Sequence, residues 1–367
     1  MSTAGGKIYL VTGGCGFLGK RLVQMLLEKE PDLAEVRVFD LHLDESMQQL
    51  DRDKVILIKG NIGNLQEVEA AVKGAHVVIH AASLVDVWGR FLPSKIGEVN
   101  VHGTQNVIEA CVTQGTQYLV YTSTMEVVGP NAKGDPFYRK DEDSKYEVIN
   151  DKPYPASKAK AEKLVIEANG RPIQGGKKLV TCALRPTGIY GEEHPLMKEF
   201  YEKGLATKRC MIRTIPASTE HGRVYVGNVA WMHLLAAQKM QETPLAIGGQ
   251  VYFCYDDSPY KSYEDFNMEF LGPCGFRLLG SRPLLPFWLL YCIAHFNALL
   301  QWLLKPFCTY APLLNPYTLT VVSTTFTVKT DKAQQQFGYQ PLHTWEESRD
   351  RTVKWLKEID AQRHAGK

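Results

Sequence analysis

Short runs of β-branched and aromatic residues alternate along this chain with longer stretches whose apolar positions recur every three or four residues. The first run, KIYLVT at 7–12, stops at glycine. Beyond it Leu18, Leu22, Met25 and Leu26 fall at helical spacing, so a strand, a glycine turn and a helix are predicted in that order. The rhythm then repeats. Residues 36–40 read as a second strand, and VILIKGN ends a third at Asn61. AHVVIHAAS ends another at Ala81 and Ala82, YLVYTST carries one to 122–124, and LVTCALRP one to Pro186, with helical stretches such as 101–111 between them. These strands are apolar almost throughout rather than at alternate positions, as a sheet covered on both faces requires. The fold class predicted is α/β: a Rossmann-type, doubly wound parallel sheet with ligand at the carboxyl ends of its strands.

The first turn carries Gly13-x-x-Gly16-x-x-Gly19. Between a strand and a helix this spacing suits a dinucleotide: Gly13 permits the tight turn, Gly16 lets backbone N–H groups approach a pyrophosphate, and Gly19 lets helix and strand pack closely. A purely structural glycine turn has the same letters; the strand and helix around it separate the two readings. Phe17 and Leu18 open the helix whose free N–H groups and dipole favour phosphate. The second strand ends on Asp40, 21 residues after Gly19. A carboxylate there accepts both ribose hydroxyls and repels a 2′-phosphate, so NAD is expected rather than NADP. Arg37 would blur that preference, and a solvated strand-end Asp40 is the bland alternative. Asn61, Ile62, Ala81, Ala82 and Pro186, at or beside other strand ends, complete the expected cofactor contacts together with Tyr154 and Lys158.

Thirty residues after Thr124 stands Tyr154-Pro155-Ala156-Ser157-Lys158, followed by a helical run. Residues four apart share a helix face. A free phenol has a pKa near 10 and is a poor base at neutral pH. A neighbouring ammonium and a cationic nicotinamide both favour phenolate. The pair thus offers Tyr154 as the base that takes a proton from a substrate hydroxyl during hydride transfer, with Lys158 beneath it and Thr124, or Ser123 beside it, orienting the hydroxyl. Exposed Tyr–Lys pairs are common; the ordered combination with the glycines, Asp40 and the Ser-Thr strand end carries the signal.

At 367 residues the chain exceeds one compact core, and a net charge of +2 gives no argument for nucleic acid. Eight cysteines without C-x-x-C spacing favour a reducing compartment over a disulfide framework, and no metal site is expected. The N-terminus shows no signal-peptide core and RHAGK no retention tetrapeptide. Residues 283–304, PLLPFWLLYCIAHFNALLQWLL, contain no Asp, Glu, Lys or Arg. As a helix this stretch would reach about 33 Å, long enough to cross a membrane. Pro283, Pro286, His295, Asn297 and Gln301 count against spanning, and a helix lying on the membrane with Trp288 and Trp302 as anchors, or one buried in the substrate region, fits the same letters. His233 reads as a core residue.

TGGCGFLG, NVHGTQNVIEAC, YTSTMEVVGPN, PYPASKAKAEKLV, CALRPTGIYG, VYVGNVAWMHLLAA and QFGYQPLHTWEESRDRTVKW span essentially the whole chain, and together they resemble the 3β-hydroxysteroid dehydrogenase/Δ5-Δ4 isomerase family of the extended short-chain dehydrogenase/reductases. GGQVYFCYDDSPYKSYEDFNMEFLGPCG and RPLLPFWLL look closest to its bile-acid-pathway branch, which acts on 7α-hydroxylated cholesterol. The resemblance implies NAD⁺ as cofactor, Tyr154 and Lys158 as catalytic pair, and Thr124 where the family has serine. It also implies an isomerase acid/base among Tyr252, Asp256 and Asp257, with Phe253 where some relatives have tyrosine. It implies a sterol substrate and the endoplasmic reticulum membrane with a cytosol-facing catalytic domain; a homodimer is left open. The domains expected are a nucleotide domain at 1–190 recapturing helix 224–240, a substrate region from 191–223 and 241–282, an apolar segment at 283–315 and a C-terminal strand and helix at 316–367. A pregnenolone-type enzyme, a sugar-nucleotide epimerase or dehydratase, and a non-catalytic NAD sensor are the competing readings.

Overall fold

The computed structural model describes residues 6–131, 133–144 and 152–365; the start of MSTAGG and the end of RHAGK lie outside them. The chain runs through β1 (Lys7–Thr12), α1 (Phe17–Lys29), β2 (Leu33–Asp40), β3 (Val55–Lys59), α2 (Leu65–Val72), β4 (Val77–His80), α3 (Pro93–Gly97), α4 (Gly103–Gln114) and β5 (Tyr118–Thr122). It continues with β6 (Phe137–Lys140), α5 (Pro153–Glu167), β7 (Val180–Pro186), β8 (Gly188–Tyr190), α6 (Pro195–Ala206), β9 (Cys210–Ile212), β10 (Arg223–Tyr225), α7 (Val226–Glu242), α8 (Pro244–Ile247) and β11 (Gln250–Cys254). The last third holds α9 (Tyr263–Leu271), β12 (Arg277–Leu279), α10 (Phe287–Leu304), α11 (Pro316–Ser323), β13 (Phe326–Val328), α12 (Lys332–Phe337) and α13 (Trp345–Ala365).

Seven strands form one sheet in the order β11-β7-β5-β4-β1-β2-β3, and every neighbouring pair is parallel. Winding starts at β1, runs outward through β2 and β3, then reverses to β4. The carboxyl ends of β1 and β4 therefore flank the crevice where such sheets take ligands. Side chains alternate across each strand and feed two cores. Val11, Val36 and Val120 meet Leu22 and Leu26 of α1 and Val229 and Ala236 of α7. Leu10, Val78 and Leu119 meet Val107 and Cys111 of α4 and Ala161 and Val165 of α5. The predicted strands and the covering helices are present.

The smaller lobe is tied in piecewise by two-stranded parallel pairs, β8 with β10, β9 with β12 and β6 with β13. Its core is aromatic, with Tyr190, Tyr201, Phe266, Phe270 and Phe276. β11, from within 241–282, joins the central sheet instead of this lobe. The reason is local: VYFC is apolar on both faces and finds the open edge of β7.

Two glycines make the first turn. Gly13 has φ +69°, and a Cβ on Gly19 would stand 2.0 Å from the Gly13 carbonyl oxygen. Gly19→Ala is therefore expected to destabilise the protein by about 1–3 kcal/mol or to prevent folding. Gly97→Ala, in α3 with nothing within 4 Å of the new methyl, should leave stability unchanged or raised. Thermal unfolding of the two variants beside the unmodified protein is the measurement.

Candidate active site

Gly16 caps α1 without any side-chain hydrogen bond, so the first N–H groups of that helix point unclaimed into the crevice. A Cβ on Gly13 would meet the Ala82 Cα at 2.7 Å, which shows how tightly the turn lies on the end of β4. The Asp40 carboxylate accepts the Cys15 N–H at 3.0 Å and the His42 N–H at 3.1 Å, which fixes it at the rim of the turn. Arg37 is directed elsewhere: its guanidinium donates to the Glu35 carboxylate and to the carbonyls of Ala71 and Lys73. The cation that would blur the Asp40 preference is engaged on the far side of β2. The Ala81 and Ala82 N–H groups are held by the Thr12 carbonyl and hydroxyl at 3.2 and 3.3 Å. Asn61 accepts the Gly63 N–H, buried Ile62 gives its carbonyl to Asn106, and Pro186 ends β7. These residues, with Phe17 and Leu18 at the helix start, border one crevice whose glycines leave room for a dinucleotide and whose rim supplies one carboxylate.

α5 begins at Pro153, so Tyr154 sits in its first turn and Lys158 one turn later, both buried. Lys158 Nζ donates to the Thr122 carbonyl at 2.6 Å and stands 4.3 Å from the Tyr121 ring centre. Burial pushes its pKa down to about 7, against the pull of Glu162. Burial and then Glu126 push the Tyr154 phenol well above the usual tyrosine range, and a hydrogen bond with the Thr124 hydroxyl pulls the other way. Sequence spacing anticipates a lysine that holds the phenol low; the structure instead has Lys158 spent on a strand-end carbonyl, with Thr124 as the group acting on the phenol.

Ser123 does not share the place of Thr124. Successive residues of an extended chain face opposite sides. Ser123 Oγ accordingly donates to Glu162 at 2.6 Å, and that carboxylate is clamped by Arg185 Nε and Nη2 at 2.9 and 2.6 Å. Thr124 also accepts the Glu126 N–H at 3.2 Å, which turns the chain and swings Glu126 beside Tyr154. Burial raises the Glu126 carboxyl to about 7, opposed by a hydrogen bond from the Tyr317 hydroxyl. Tyr317 comes from α11, and its own phenol is pushed up by burial, then Glu126, then Tyr154.

Tyr252, Asp256 and Asp257 are committed elsewhere. Alternation along β11 sends Tyr252 into the α7 face, edge-on to Phe337, with its hydroxyl bonded to Gln336 at 2.5 Å. Asp256 accepts the Tyr225 N–H and an Asn228 amide N–H at the start of α7, and Asp257 accepts the N–H of Trp345, the first residue of α13. Two residues outside the sequence reading join the site instead. One is Glu126, whose signal was an acid in the otherwise apolar MEVVGP turn. The other is Asn100, in a π-helical turn at Glu98–His102. Its amide donates to Ser157 Oγ at 2.9 Å and the Leu84 carbonyl at 3.1 Å, and it accepts the Leu84 N–H at 2.7 Å, tying α5 to the loop after β4. His233 is a core residue: its ring bridges Thr122 Oγ1 and the Val229 carbonyl.

α10 lies against this region by one face. Leu290 and Ala294 pack with Ile215 and Leu319, Asn297 donates to the Leu314 carbonyl, and Gln301 donates to the carbonyls of Trp88 and Tyr310. Its other face presents Trp288, Phe296 and Trp302, which are 66%, 62% and 70% exposed.

The model of the 3-beta hydroxysteroid dehydrogenase/isomerase family matches residues 10–285. The 3 beta-hydroxysteroid dehydrogenase type 7 proteins of Homo sapiens and Mus musculus are 64% and 62% identical to this chain. The human match covers 95% of both chains and the mouse match 96% of both. A 3 beta-hydroxysteroid dehydrogenase/Delta 5→4-isomerase of vaccinia virus (strain Ankara) is 43% identical over 96% of this chain and 99% of its own. Among solved structures, a dTDP-glucose 4,6-dehydratase from Streptomyces venezuelae superposes with a TM-score of 0.70 at 20% identity, over 97% of this chain and 98% of that one, which shows a shared fold. The matched model covers most of the sheet and the Thr124–Tyr154–Lys158 cluster, and the chain belongs to the 3-beta hydroxysteroid dehydrogenase/isomerase family.

Proposed function

We propose that the protein oxidises the 3β-hydroxyl of a Δ5 sterol, with 7α-hydroxycholesterol as substrate, and moves the ring double bond to give the 3-oxo-Δ4 product. The observation that carries this reading is the Thr124–Tyr154–Glu126 cluster at the mouth of the glycine crevice. NAD fits that crevice through Gly13, Gly16, Gly19 and Asp40, and when bound it supplies the acceptor for the hydride on C3. Tyr154 takes the proton of the C3 hydroxyl while Thr124 holds the oxygen in line. Lys158 stands beneath the pair for the nicotinamide ribose. Having taken that proton, the Tyr154 phenol, whose neutral form burial favours, serves as donor to the 3-oxo oxygen, where charge develops when a C4 proton leaves. Glu126, close to half ionised at neutral pH, is the group that takes that proton and returns it at C6, with Tyr317 steadying the carboxylate. A sugar-nucleotide reading rests on fold likeness alone, and a non-catalytic sensor has no use for this cluster.

The membrane reading follows α10. Its N-terminal side leads from β12, paired with β9, and its C-terminal side returns through α11 to β13, paired with β6. Both ends enter one globule, and Asn297 and Gln301 of α10 bond back to it. A spanning helix would leave its ends on opposite sides of the bilayer and strip those bonds. The helix is therefore read as lying in the headgroup layer of the endoplasmic reticulum membrane, apolar face down, on the cytosolic side. The substrate region of 191–223 and 241–282 and the segment 283–315 then face that surface together.

Tyr154→Phe should abolish NADH formation to below about one part in a hundred, with NAD binding retained by fluorescence titration. Glu126→Gln should let the 3-oxo-Δ5 compound accumulate, seen as NADH without the absorbance of the conjugated product. A carboxylate base with a pKa of about 7 makes isomerisation of supplied 3-oxo-Δ5 sterol rise about tenfold per pH unit below 7 and level off above it. Replacing Trp288, Phe296 and Trp302 with serine should move the protein from the membrane fraction to the supernatant while its sterol turnover in detergent persists.

A further inference from the structure

No Asp or Glu stands between Glu269 and Asp331, whereas Arg277, Arg282, Lys305 and Lys329 do. That acid-free stretch holds β12, α10 and the connections on either side of α10, and its middle is the exposed face of Trp288, Phe296 and Trp302. β12 adds a second exposed apolar face. It pairs with β9 in parallel register, Cys210 opposite Arg277, Met211 opposite Leu278 and Ile212 opposite Leu279. Register partners lie on the same side of a sheet, and side chains two apart share a face. Both strands run exposed, half-buried, exposed. Ile212 and Leu279, 45% and 44% exposed, therefore stand side by side on the outer face, with Arg277 two residues back along β12 on that same face. From Leu279 a short connection exposes Arg282 and Leu284 on its way to α10. Lys305 caps the far end of the helix, just before Phe307, which is 84% exposed.

Charge tells the occupants of such a surface apart. Arg277, Arg282 and Lys305 are exposed and enter no ion pair among the described residues. Acids on the neighbouring segments are engaged elsewhere: Asp265 closes on Arg213, Glu264 on the Thr214 N–H, Asp360 on Arg209, and Asp86 on the N–H groups of Trp88, Gly89 and Phe91. A second copy docked through the same patch would bring cations against cations and no acid to meet them. Apolar side chains rimmed by unpaired cations fit the boundary of a bilayer with anionic headgroups. The apolar groups enter the acyl edge, while the guanidinium and ammonium groups stay at phosphate level on their aliphatic stems. We propose that α10 and the outer face of β9 and β12 form one membrane-docking surface that selects anionic phospholipid through Arg277, Arg282 and Lys305. This rests on the surface-lying reading of α10 above, and adds to it a second docking element and a class of lipid.

The test is sedimentation of the full chain with vesicles of phosphatidylcholine alone, and with vesicles in which about one lipid in four is phosphatidylserine. Binding to the anionic vesicles should be about ten- to a hundredfold tighter, and salt at about 0.5 M should shrink that difference to within about twofold. Arg277→Gln, Arg282→Gln and Lys305→Gln should each cost about threefold to fivefold on anionic vesicles and nothing on neutral ones. All three together should remove the preference while sterol turnover in detergent is unchanged. Ile212→Ser combined with Leu279→Ser should weaken binding to both kinds of vesicle alike. Equal binding of the unmodified protein to the two vesicles, or a preference that survives the triple variant, would overturn the proposal and leave the membrane reading of α10 standing. Unchanged binding by the Ile212 and Leu279 variant would remove β9 and β12 from the surface. Failure to bind either vesicle would overturn the membrane reading and this proposal with it. Should a variant not fold, the comparison of the two vesicles with the unmodified protein decides alone.

Discussion

The docking of α5 against the end of β5 is the contact on which the rest of this molecule's chemistry depends. Lys158 reaches from the helix to the Thr122 carbonyl, and Glu162, one turn further, accepts from Ser123 and from both arms of Arg185 on β7. Two charged side chains are thereby buried beside a third that is partly buried, all in one small volume. Such an arrangement is tolerable only because each donor meets an acceptor, and removing one partner would strand the others. The result is a helix whose first turn is anchored on the sheet, which holds the Tyr154 phenol at Thr124.

Asn100 extends this rigidity sideways. The π-helical turn that carries it breaks the regular ladder at one residue and turns the amide toward Ser157 on α5 and Leu84 on the loop after β4. That loop leads to Trp88, whose carbonyl receives Gln301 of the apolar helix. Hydrogen bonds at the two ends of that loop thus tie the catalytic helix to the helix proposed to rest on lipid.

Electrostatics divide the site into two roles. Desolvation favours the neutral Tyr154 phenol and lifts the Glu126 carboxyl toward neutrality, so once the phenol has taken the substrate's proton one cluster holds a proton donor and a group poised to exchange one. The two environments differ because Thr124 and Tyr317 act on one member each. A cluster of this kind suits an oxidation followed by a proton shift on the same bound ring.

Much of this was legible in the chain itself. Buried parallel strands must be apolar on both faces, and a helix packed on a tight turn must have glycine at Gly13 and Gly19, so local physics writes those elements into the letters. The Tyr154–Lys158 spacing is likewise a property of one helix. What the sequence left open depended on direction and on distant partners. Thr124 and Ser123 are adjacent letters, and only the strand's orientation sends one to Tyr154 and the other to Glu162. Tyr252, Asp256 and Asp257 carry suitable chemistry, yet the pairing of β11 with β7 turns Tyr252 into the core and leaves the acids holding α7 and α13. Glu126 meets Tyr317 across 191 residues because the fold brings those segments together. The composition of α10 allowed spanning, surface and buried readings alike; the tertiary structure brings both its ends back to one globule and leaves Trp288, Phe296 and Trp302 on its outer face.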